Sequence, residues 1–203
     1  MPTPNTRRLE KLFPVPVLLT KVPNAGELND DLITALEEIR ASTPNGKPSS
    51  WACDIYTTYT NNCALHEQPA FKEFSDIAFQ CLSAFGDVMG YDMDEGKICM
   101  TQCWLNIYQH GMSQEVHHHP NHHMTGVYYV KAPEDCSEIM FHSPYADTMI
   151  RPPVTGHSPL SSMIASYNPE PGDLIVFDSA LRHSVPNHMV DGERISISFN
   201  ARI

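Results

Sequence analysis

The spacing of apolar residues divides the chain into two halves. Over residues 27–40 and 69–89 apolar side chains recur every three or four positions, which is the helical period. Pro69 lies near the start of the second segment, where proline is tolerated, and Gly90 ends it. The apolar stripe of that segment consists of Phe71, Phe74, Ala78, Cys81, Leu82, Phe85 and Val88. The pattern therefore predicts two helices in the first half.

The second half contains short β-type segments separated by turns that are rich in proline and glycine. They span residues 98–108, 124–131, 138–141, 173–177 and 194–203. An earlier β-type segment, 12–22, carries two prolines, which confine it to a sheet edge. Strands without intervening helices indicate an antiparallel sandwich or barrel. We expect a mainly β fold with flanking helices in a single domain, 1–203, in which residues 1–97 brace a core formed by 98–203.

Composition and charge exclude some classes of function and indicate a cellular location. The 203 residues carry a net charge of −11, which argues against nonspecific binding to nucleic acid or anionic membranes. No run of about 18 apolar residues predicts a membrane span, and residues 1–11 lack the apolar stretch of a secretory signal. The six cysteines have no CxxC spacing and are expected to be free thiols. Such thiols suit a cytoplasmic protein, or the host cytoplasm if the chain is encoded by a phage.

Histidines provide the candidate chemistry. Five of the eleven lie within residues 117–123. On a strand, His117 and His119 point to one side while His118 points to the other. Neutral imidazole binds Fe, Zn, Cu and Ni, and His183, after a distant apolar strand, is the best candidate for a third ligand. For the cluster alone, an incidental surface patch or a low-specificity metal sink is an equally good interpretation.

Six motifs follow one another in an order that is more specific than any one of them. They are Trp104-Leu-Asn-Ile-Tyr-Gln-His-Gly111, His117-His-His-Pro120, Thr125-Gly-Val-Tyr-Tyr129, Pro171-Gly-Asp-Leu-Ile-Val-Phe177, His183-Ser-Val-Pro186 and Arg194-Ile-Ser-Ile-Ser-Phe-Asn200. Together they resemble the short bacterial and phage 2-oxoglutarate/Fe(II) oxygenases, over almost the whole chain. The resemblance implies a double-stranded β-helix, or jelly roll, and an enzyme that uses Fe(II), 2-oxoglutarate and O₂. Such an enzyme usually hydroxylates a prime substrate and releases succinate and CO₂.

The same resemblance implies that His117, His119 and His183 are the metal ligands. Most members of the wider superfamily carry a carboxylate where this chain has His119, in a triad of two histidines and one Asp or Glu. Glu115 lies two residues before His117, on the same face of a regular strand, and is the alternative carboxylate ligand. The His-x-His pattern of the short enzymes favours three histidines.

The co-substrate site follows from the resemblance as well. Arg194, 11 residues after His183, is implied to bind the far carboxylate of 2-oxoglutarate, with Ser196 adding a hydroxyl from the same face. An exposed arginine that pairs with Glu193 or Asp191 is the alternative. The alternation of polar and apolar residues along 194–199 favours the pocket.

Three further residues are weaker candidates for this site. Asn106 and Tyr108 occupy positions that often contact 2-oxoglutarate in related enzymes, although they could equally be ordinary strand residues. Tyr128 is more often a packing residue with a tethered hydroxyl.

Two other functions stay open at this point. A three-histidine site is also typical of cupin-like dioxygenases or isomerases that do not use 2-oxoglutarate, and the cluster could belong to a non-catalytic metal-binding protein. The sequence determines neither the prime substrate nor the oligomeric state, for which a homodimer is one option. The proline-rich segment 142–171 is expected to form a lid or an extra strand pair.

Overall fold

The computed structural model describes residues 8–93, 98–145, 150, 152–156 and 158–203. Their first half contains β1 (Val17–Lys21), α1 (Ala25–Ser42), β2 (Tyr56–Thr57), two single 3₁₀ turns (Leu65–Glu67 and Pro69–Phe71) and α2 (Lys72–Met89). The second half contains β3 (Cys99–Tyr108), β4 (Gln114–His117), β5 (Met124–Lys131), β6 (Ile139–His142), β7 (Ile164–Tyr167), β8 (Asp173–Asp178), β9 (His183–Val185) and β10 (Arg194–Arg202).

The strands form two antiparallel sheets. The larger has six strands in the order β1-β8-β5-β10-β3-β2, and the smaller has four in the order β4-β9-β6-β7. Strand β1 begins at Val17, after Pro14 and Pro16, and lies at the edge of the larger sheet, as the prolines predicted. The predicted mainly β architecture with flanking helices is confirmed.

Both helices pack against the outer face of the larger sheet. The Phe74 ring of α2 lies 5.6 Å from the ring of Tyr128 and 5.9 Å from that of Phe199. Leu32 and Leu36 of α1 are buried in the same cluster. Val88 was assigned to the apolar stripe of α2, but it lies at the edge of that stripe in the last turn and is 75% exposed.

Four short strands were not predicted as separate elements. Strands β2, β4, β7 and β9 have two to four residues each, too few positions for alternation to show in a sequence. Among its described residues, segment 142–171 supplies one further strand, β7, which pairs with β6 (Ile139–His142) at the start of the segment and not with a second strand inside it. Residues 146–149, 151 and 157 of that segment lie outside the described residues.

One glycine of the Thr125-Gly-Val-Tyr-Tyr motif is needed for packing. Gly126 pairs with Phe199 across β5 and β10, and a Cβ atom at position 126 would collide with the Phe199 ring. The glycine therefore lets the ring lie flat on the sheet beneath α2. None of the helices in the described part of the chain is both long and apolar enough to cross a membrane.

Candidate metal centre and adjoining cavity

Strand pairing in the smaller sheet brings two distant histidines together. His117, at the end of β4, is the direct cross-strand partner of His183, at the start of β9. Directly opposed residues have neighbouring side chains, and the two imidazole centroids lie 4.2 Å apart. This single antiparallel register brings together two residues that are 66 positions apart in the sequence.

His119 reaches the same point by a different route. It lies two residues beyond the end of β4, so the regular strand that the sequence predicted across 117–119 is not formed. Its backbone N–H donates instead to the carbonyl of Ser179, at 2.9 Å, in the loop after β8. The Nε2 atoms of His119 and His183 are 3.3 Å apart.

Ligand atoms from the three histidines lie within 4.8 Å of one another, and no other such group of His, Cys, Asp or Glu occurs among the described residues. With metal–nitrogen bonds of about 2.1 Å, neighbouring ligand nitrogens in an octahedral site are separated by roughly 3 Å. The 3.3 Å between the Nε2 atoms of His119 and His183 is close to that value, and all the ligand atoms lie within 4.8 Å of one another. The arrangement therefore fits a single metal ion.

The backbone fixes the tautomer of two of these imidazoles. Nδ1 of His117 donates to the carbonyl of Glu115 at 2.8 Å, and Nδ1 of His183 donates to the carbonyl of Leu181 at 2.9 Å. In each ring the proton is thereby held on Nδ1, and Nε2 keeps the lone pair that a metal requires.

Burial also keeps the three rings neutral. Burial, with the adjacent His117 acting in the same direction, lowers the pKa of His183 to about 3. Burial, together with the neighbouring His183 and His117, holds the pKa of His119 well below its usual range. The pKa of His117 is lowered by burial too. At neutral pH all three are uncharged, which is the form that binds metal.

Two neighbours in the motif do not join this group. Glu115 had been considered as a carboxylate ligand, but its oxygens accept hydrogen bonds from the backbone N–H groups of Ala52 (2.9 Å) and Cys53 (3.2 Å). The register shift between Gln114 and His117 breaks the regular alternation that would have placed Glu115 beside His117. His118 is exposed, and it borders the cavity without joining the three-imidazole group.

The imidazoles open into a cavity of about 600 Å³ between the two sheets. Strand β10 supplies its polar wall, because its side chains alternate between the cavity and the core beneath the helices. The members that line the cavity are Arg194, Ser196, Ser198, Asn200 and Arg202, whereas those in the core are Ile195, Ile197, Phe199 and Ala201. This is the polar and apolar alternation that the sequence predicted.

Arg194 is 1% exposed and lies in this wall between two tyrosines. Its guanidinium carbon is 4.7 Å from the Tyr108 ring centroid and 4.8 Å from that of Tyr129. Its Nη2 donates to the Tyr129 hydroxyl at 3.3 Å, and its buried Nε has no hydrogen-bond partner.

No carboxylate among the described residues pairs with Arg194. The alternative partner, Glu193, binds Arg40 instead, at 2.9 Å, and also accepts a hydrogen bond from Gln109. A buried charge without a counter-charge is unfavourable, so this guanidinium is suited to an anionic ligand.

The other predicted co-substrate residues lie on the same wall. Asn106 donates from Nδ2 to Ser198 Oγ at 3.0 Å, and its buried Oδ1 has no partner. Ser196 is buried opposite Asn106 in the β10–β3 register, and Tyr108 stands opposite Arg194. All four predicted residues therefore line one cavity with the three histidines.

Of the two tyrosines of β5, the weak candidate Tyr128 is a packing residue with a tethered hydroxyl, and Tyr129, which the sequence did not single out, lines the cavity. Tyr128 points to the helices, where its hydroxyl donates to Asn29 at 2.6 Å, and Tyr129 is the member that lines the cavity. Tyr129 was missed because both residues are fully buried and the strand is apolar on both faces. The regular pairing of Ser196 with Tyr129 carries the information, but a sequence does not reveal that register.

Known proteins resemble this chain in part of its sequence and in its fold. A family profile described as "Putative 2OG-Fe(II) oxygenase" matches residues 102–200, the range that contains all the predicted site residues. No curated protein matches the sequence significantly. The resemblance predicted from the motifs is confirmed by the family match.

Solved structures establish the fold. The chain superposes on a prolyl-4-hydroxylase of Pseudomonas putida with a TM-score of 0.59 at 15% identity, covering 93% of this chain and 92% of that one. It superposes on a viral collagen prolyl hydroxylase of Paramecium Bursaria Chlorella virus-1 in complex with 2OG with a TM-score of 0.58 at 14% identity. That match covers 92% of this chain and 96% of that one. HygX of Streptomyces hygroscopicus, with nickel, 2-oxoglutarate and hygromycin B bound, superposes with a TM-score of 0.61 at 13% identity. That match covers 93% of this chain and 83% of that one. The predicted double-stranded β-helix is confirmed.

Proposed function

We propose that this chain, identified as a 2-oxoglutarate/Fe(II)-dependent oxygenase by its family match over residues 102–200, hydroxylates a substrate that enters the cavity, with release of succinate and CO₂. One observation supports this most strongly. A single cavity is lined both by three convergent neutral imidazoles and by a buried arginine that pairs with no carboxylate of the described residues. The first suits a metal, and the second suits the far carboxylate of an oxo acid.

His117, His119 and His183 would hold the iron. When bound there, Fe(II) supplies the activation of O₂ and the oxidising power for cleavage of a C–H bond. The backbone carbonyls of Glu115 and Leu181 keep two of the rings turned with Nε2 inward, so no proton has to leave them on metal binding.

Arg194 would bind and orient the co-substrate. Its planar guanidinium can donate two parallel hydrogen bonds to a carboxylate, and the Tyr129 hydroxyl beside it is a further donor. Burial raises the pKa of Tyr129 to about 12, although the Arg194 charge opposes this shift, so the hydroxyl keeps its proton. Asn106 and Ser196 provide additional polar atoms along the same wall.

Aromatic rings exclude water from the metal ligands. Trp104 lies 5.7 Å from the His119 ring, and Phe177 lies 4.8 Å from the His183 ring, measured between centroids. In this apolar surrounding, charged interactions between ligand and protein are stronger than in water.

Arg194 also separates this function from the two alternatives. A three-histidine dioxygenase or isomerase that does not use 2-oxoglutarate has no need for a buried unpaired arginine in the cavity. A metal sink would bind several ions loosely, whereas the described residues contain one group of three converging ligands. The single domain over 1–203 and the cytoplasmic location stay predictions, the second supported by six free cysteines.

Spectroscopy without oxygen tests the proposal directly. Addition of 2-oxoglutarate to the Fe(II)-loaded protein should produce the weak visible charge-transfer band of a chelated oxo acid. On exposure to O₂, slow formation of succinate without prime substrate should follow, and both should disappear in His183→Ala. In Arg194→Ala the band should need a much higher 2-oxoglutarate concentration. Absence of both the band and succinate in the wild type would favour the dioxygenase or isomerase alternative.

A further inference from the structure

The charges that line the cavity are opposite in sign to the charge of the whole chain. The chain has 24 acidic and 13 basic side chains. Among the described residues that line the cavity, however, none is Asp or Glu, and the charged ones are Arg194 and Arg202. This separation favours anions in the cavity.

The three-histidine site makes this positive character larger. Iron contributes two positive charges and Arg194 one, whereas 2-oxoglutarate brings two negative charges. With a carboxylate among the ligands the sum is zero, but with three neutral imidazoles one positive charge stays uncompensated. In a poorly solvated cavity such a charge is unfavourable unless a further anion binds near it.

Arg202 lines the cavity and is held by the loop that follows His119. Its Nε donates to the backbone carbonyl of Asn121 at 2.6 Å, and Asn121 follows His119 and Pro120 in a turn with a φ of 66°. No ion pair with Arg202 occurs in the described part of the chain. The guanidinium is therefore oriented by the loop while its charge is not neutralised.

A row of hydrogen bonds beside Arg202 also presents donors. Thr125 Oγ1 donates to Asn200 Oδ1 at 2.9 Å, and Asn200 Nδ2 donates to Gln102 Oε1 at 2.9 Å. Because the Gln102 carbonyl is used within this row, the group that the row offers to the cavity is the Gln102 amide N–H. The Arg202 guanidinium and the Gln102 amide are both donors, which suits the acceptor oxygens of a carboxylate.

Next to this row lies an aromatic wall that consists of Trp51, Tyr59 and Trp104, since Trp104 follows Gln102 by two positions on the cavity-facing side of β3. The ring centroids of Trp51 and Tyr59 are 5.2 Å apart, and those of Tyr59 and Trp104 are 5.1 Å apart. Glu115 fixes the start of this wall, since its carboxylate binds the backbone N–H groups that follow Trp51. Such a wall suits a flat or cyclic apolar group.

We propose that the prime substrate is a small organic acid whose cyclic or flat apolar part lies against the aromatic wall and whose carboxylate binds Arg202 and Gln102. This inference rests on the proposed function, because it assigns Arg194 and the metal ligands to 2-oxoglutarate and iron. A peptide substrate would instead present neutral amides at the position where this substrate has its carboxylate.

The two tryptophans of the chain, Trp51 and Trp104, both line the cavity, so tryptophan fluorescence reports its occupation. Protein loaded with Zn(II) and 2-oxoglutarate, which does not turn over, is titrated with cyclohexanecarboxylate and with cyclohexanecarboxamide. The acid should bind about tenfold more tightly than the amide, because a charge-assisted hydrogen bond is replaced by neutral ones. Equal affinities, or binding of neither compound at millimolar concentration, would overturn the proposal.

Three variants identify the residue responsible. Arg202→Gln should abolish the preference for the acid, and Arg202→Lys should restore part of it. Arg182→Gln is the matched control, since Arg182 is exposed, does not line the cavity and changes the net charge equally. Loss of the preference in Arg182→Gln, or its survival in Arg202→Gln, would contradict the assignment.

Collisional quenching of the same fluorescence does not depend on the choice of substrate. At constant ionic strength, iodide should quench more strongly than caesium, in spite of the net charge of −11, and Arg202→Gln should reverse this order. Stronger quenching by caesium in the wild type would overturn the proposal. The proposed function fails separately, if Fe(II)-loaded protein shows no chelate band with 2-oxoglutarate; a normal band with no preference for the acid rejects only the inference about the prime substrate.

Discussion

The two faces of strand β10 differ in what they contact and therefore in what they contribute. On the helix side, Ile197, Phe199 and Ala201 are fully buried among apolar residues of α1, α2 and the neighbouring strands. On the cavity side, Arg194 keeps a buried Nε without a partner, and the adjacent Asn106 keeps an unpaired Oδ1.

The difference separates stability from binding within a single nine-residue strand. Burial of apolar surface on the helix side stabilises the fold, by about 25 cal/mol for each Å². Unpaired polar atoms on the cavity side destabilise it until a ligand satisfies them. Changes on the two faces should therefore have opposite consequences, which the following experiments examine.

The largest effect is expected at the metal ligands of the cavity side. His183→Ala should abolish stoichiometric iron binding, because it removes one of three converging nitrogen atoms. His118→Ala is the control, since His118 is exposed and outside the group, and it should leave the metal content near normal. Metal analysis after anaerobic loading gives the answer, and the reverse pattern would refute the assignment of the ligands.

Next in size is the loss of a large side chain from the helix side. Phe199→Ala should lower the free energy of unfolding by about 3–5 kcal/mol, as for other buried phenylalanines. Ser198→Ala, one residue away on the cavity side, removes only the acceptor of the Asn106 amide and should lower it by about 1–2 kcal/mol. Urea denaturation of the metal-free proteins measures both values. Similar losses in the two variants would mean that the faces are not energetically distinct.

Substitution of Arg194 should weaken ligand binding and at the same time stabilise the ligand-free protein. Arg194→Lys should weaken 2-oxoglutarate binding by about 10-fold or more while iron binding is retained, because a point charge cannot replace the planar fork. Arg194→Met should abolish oxo-acid binding and yet stabilise the ligand-free protein by about 1–2 kcal/mol, since it removes a buried unpaired charge. Titration of the visible band and urea denaturation test the two parts. A destabilised Arg194→Met protein would show that Tyr108 and Tyr129 compensate the charge fully.

This contrast also explains how much could be predicted from the sequence. The alternation along β10, the long helices and the three converging histidines follow from local periodicity and ordered motifs. The choice between Tyr128 and Tyr129, and the exclusion of Glu115, depend on strand register and on a bulge between Gln114 and His117. Such features arise from pairing between distant segments, which a single sequence does not display. The aromatic wall was missed for the same reason, because Trp51 and Trp104 lie 53 positions apart.

The smallest effect concerns pH and again distinguishes the cavity side. An unfolded histidine has a pKa of about 6.5, whereas burial lowers the pKa of His183 to about 3 in the folded protein. The unfolded chain therefore binds more protons between these values, so this contribution to stability is complete above pH 6.5 and is lost as the pH falls toward 3. For one such histidine the loss between pH 7.5 and 5.5 is about 1.4 kcal/mol.

Glu115 and Glu193, whose pKa values are lowered below 4.5, stay ionised in this window and do not interfere. We expect the unfolding free energy of the metal-free protein to fall between pH 7.5 and 5.5, and to fall by about 1.4 kcal/mol less in His183→Gln. A pH dependence that is identical in the two proteins would show that His183 is not held neutral by burial.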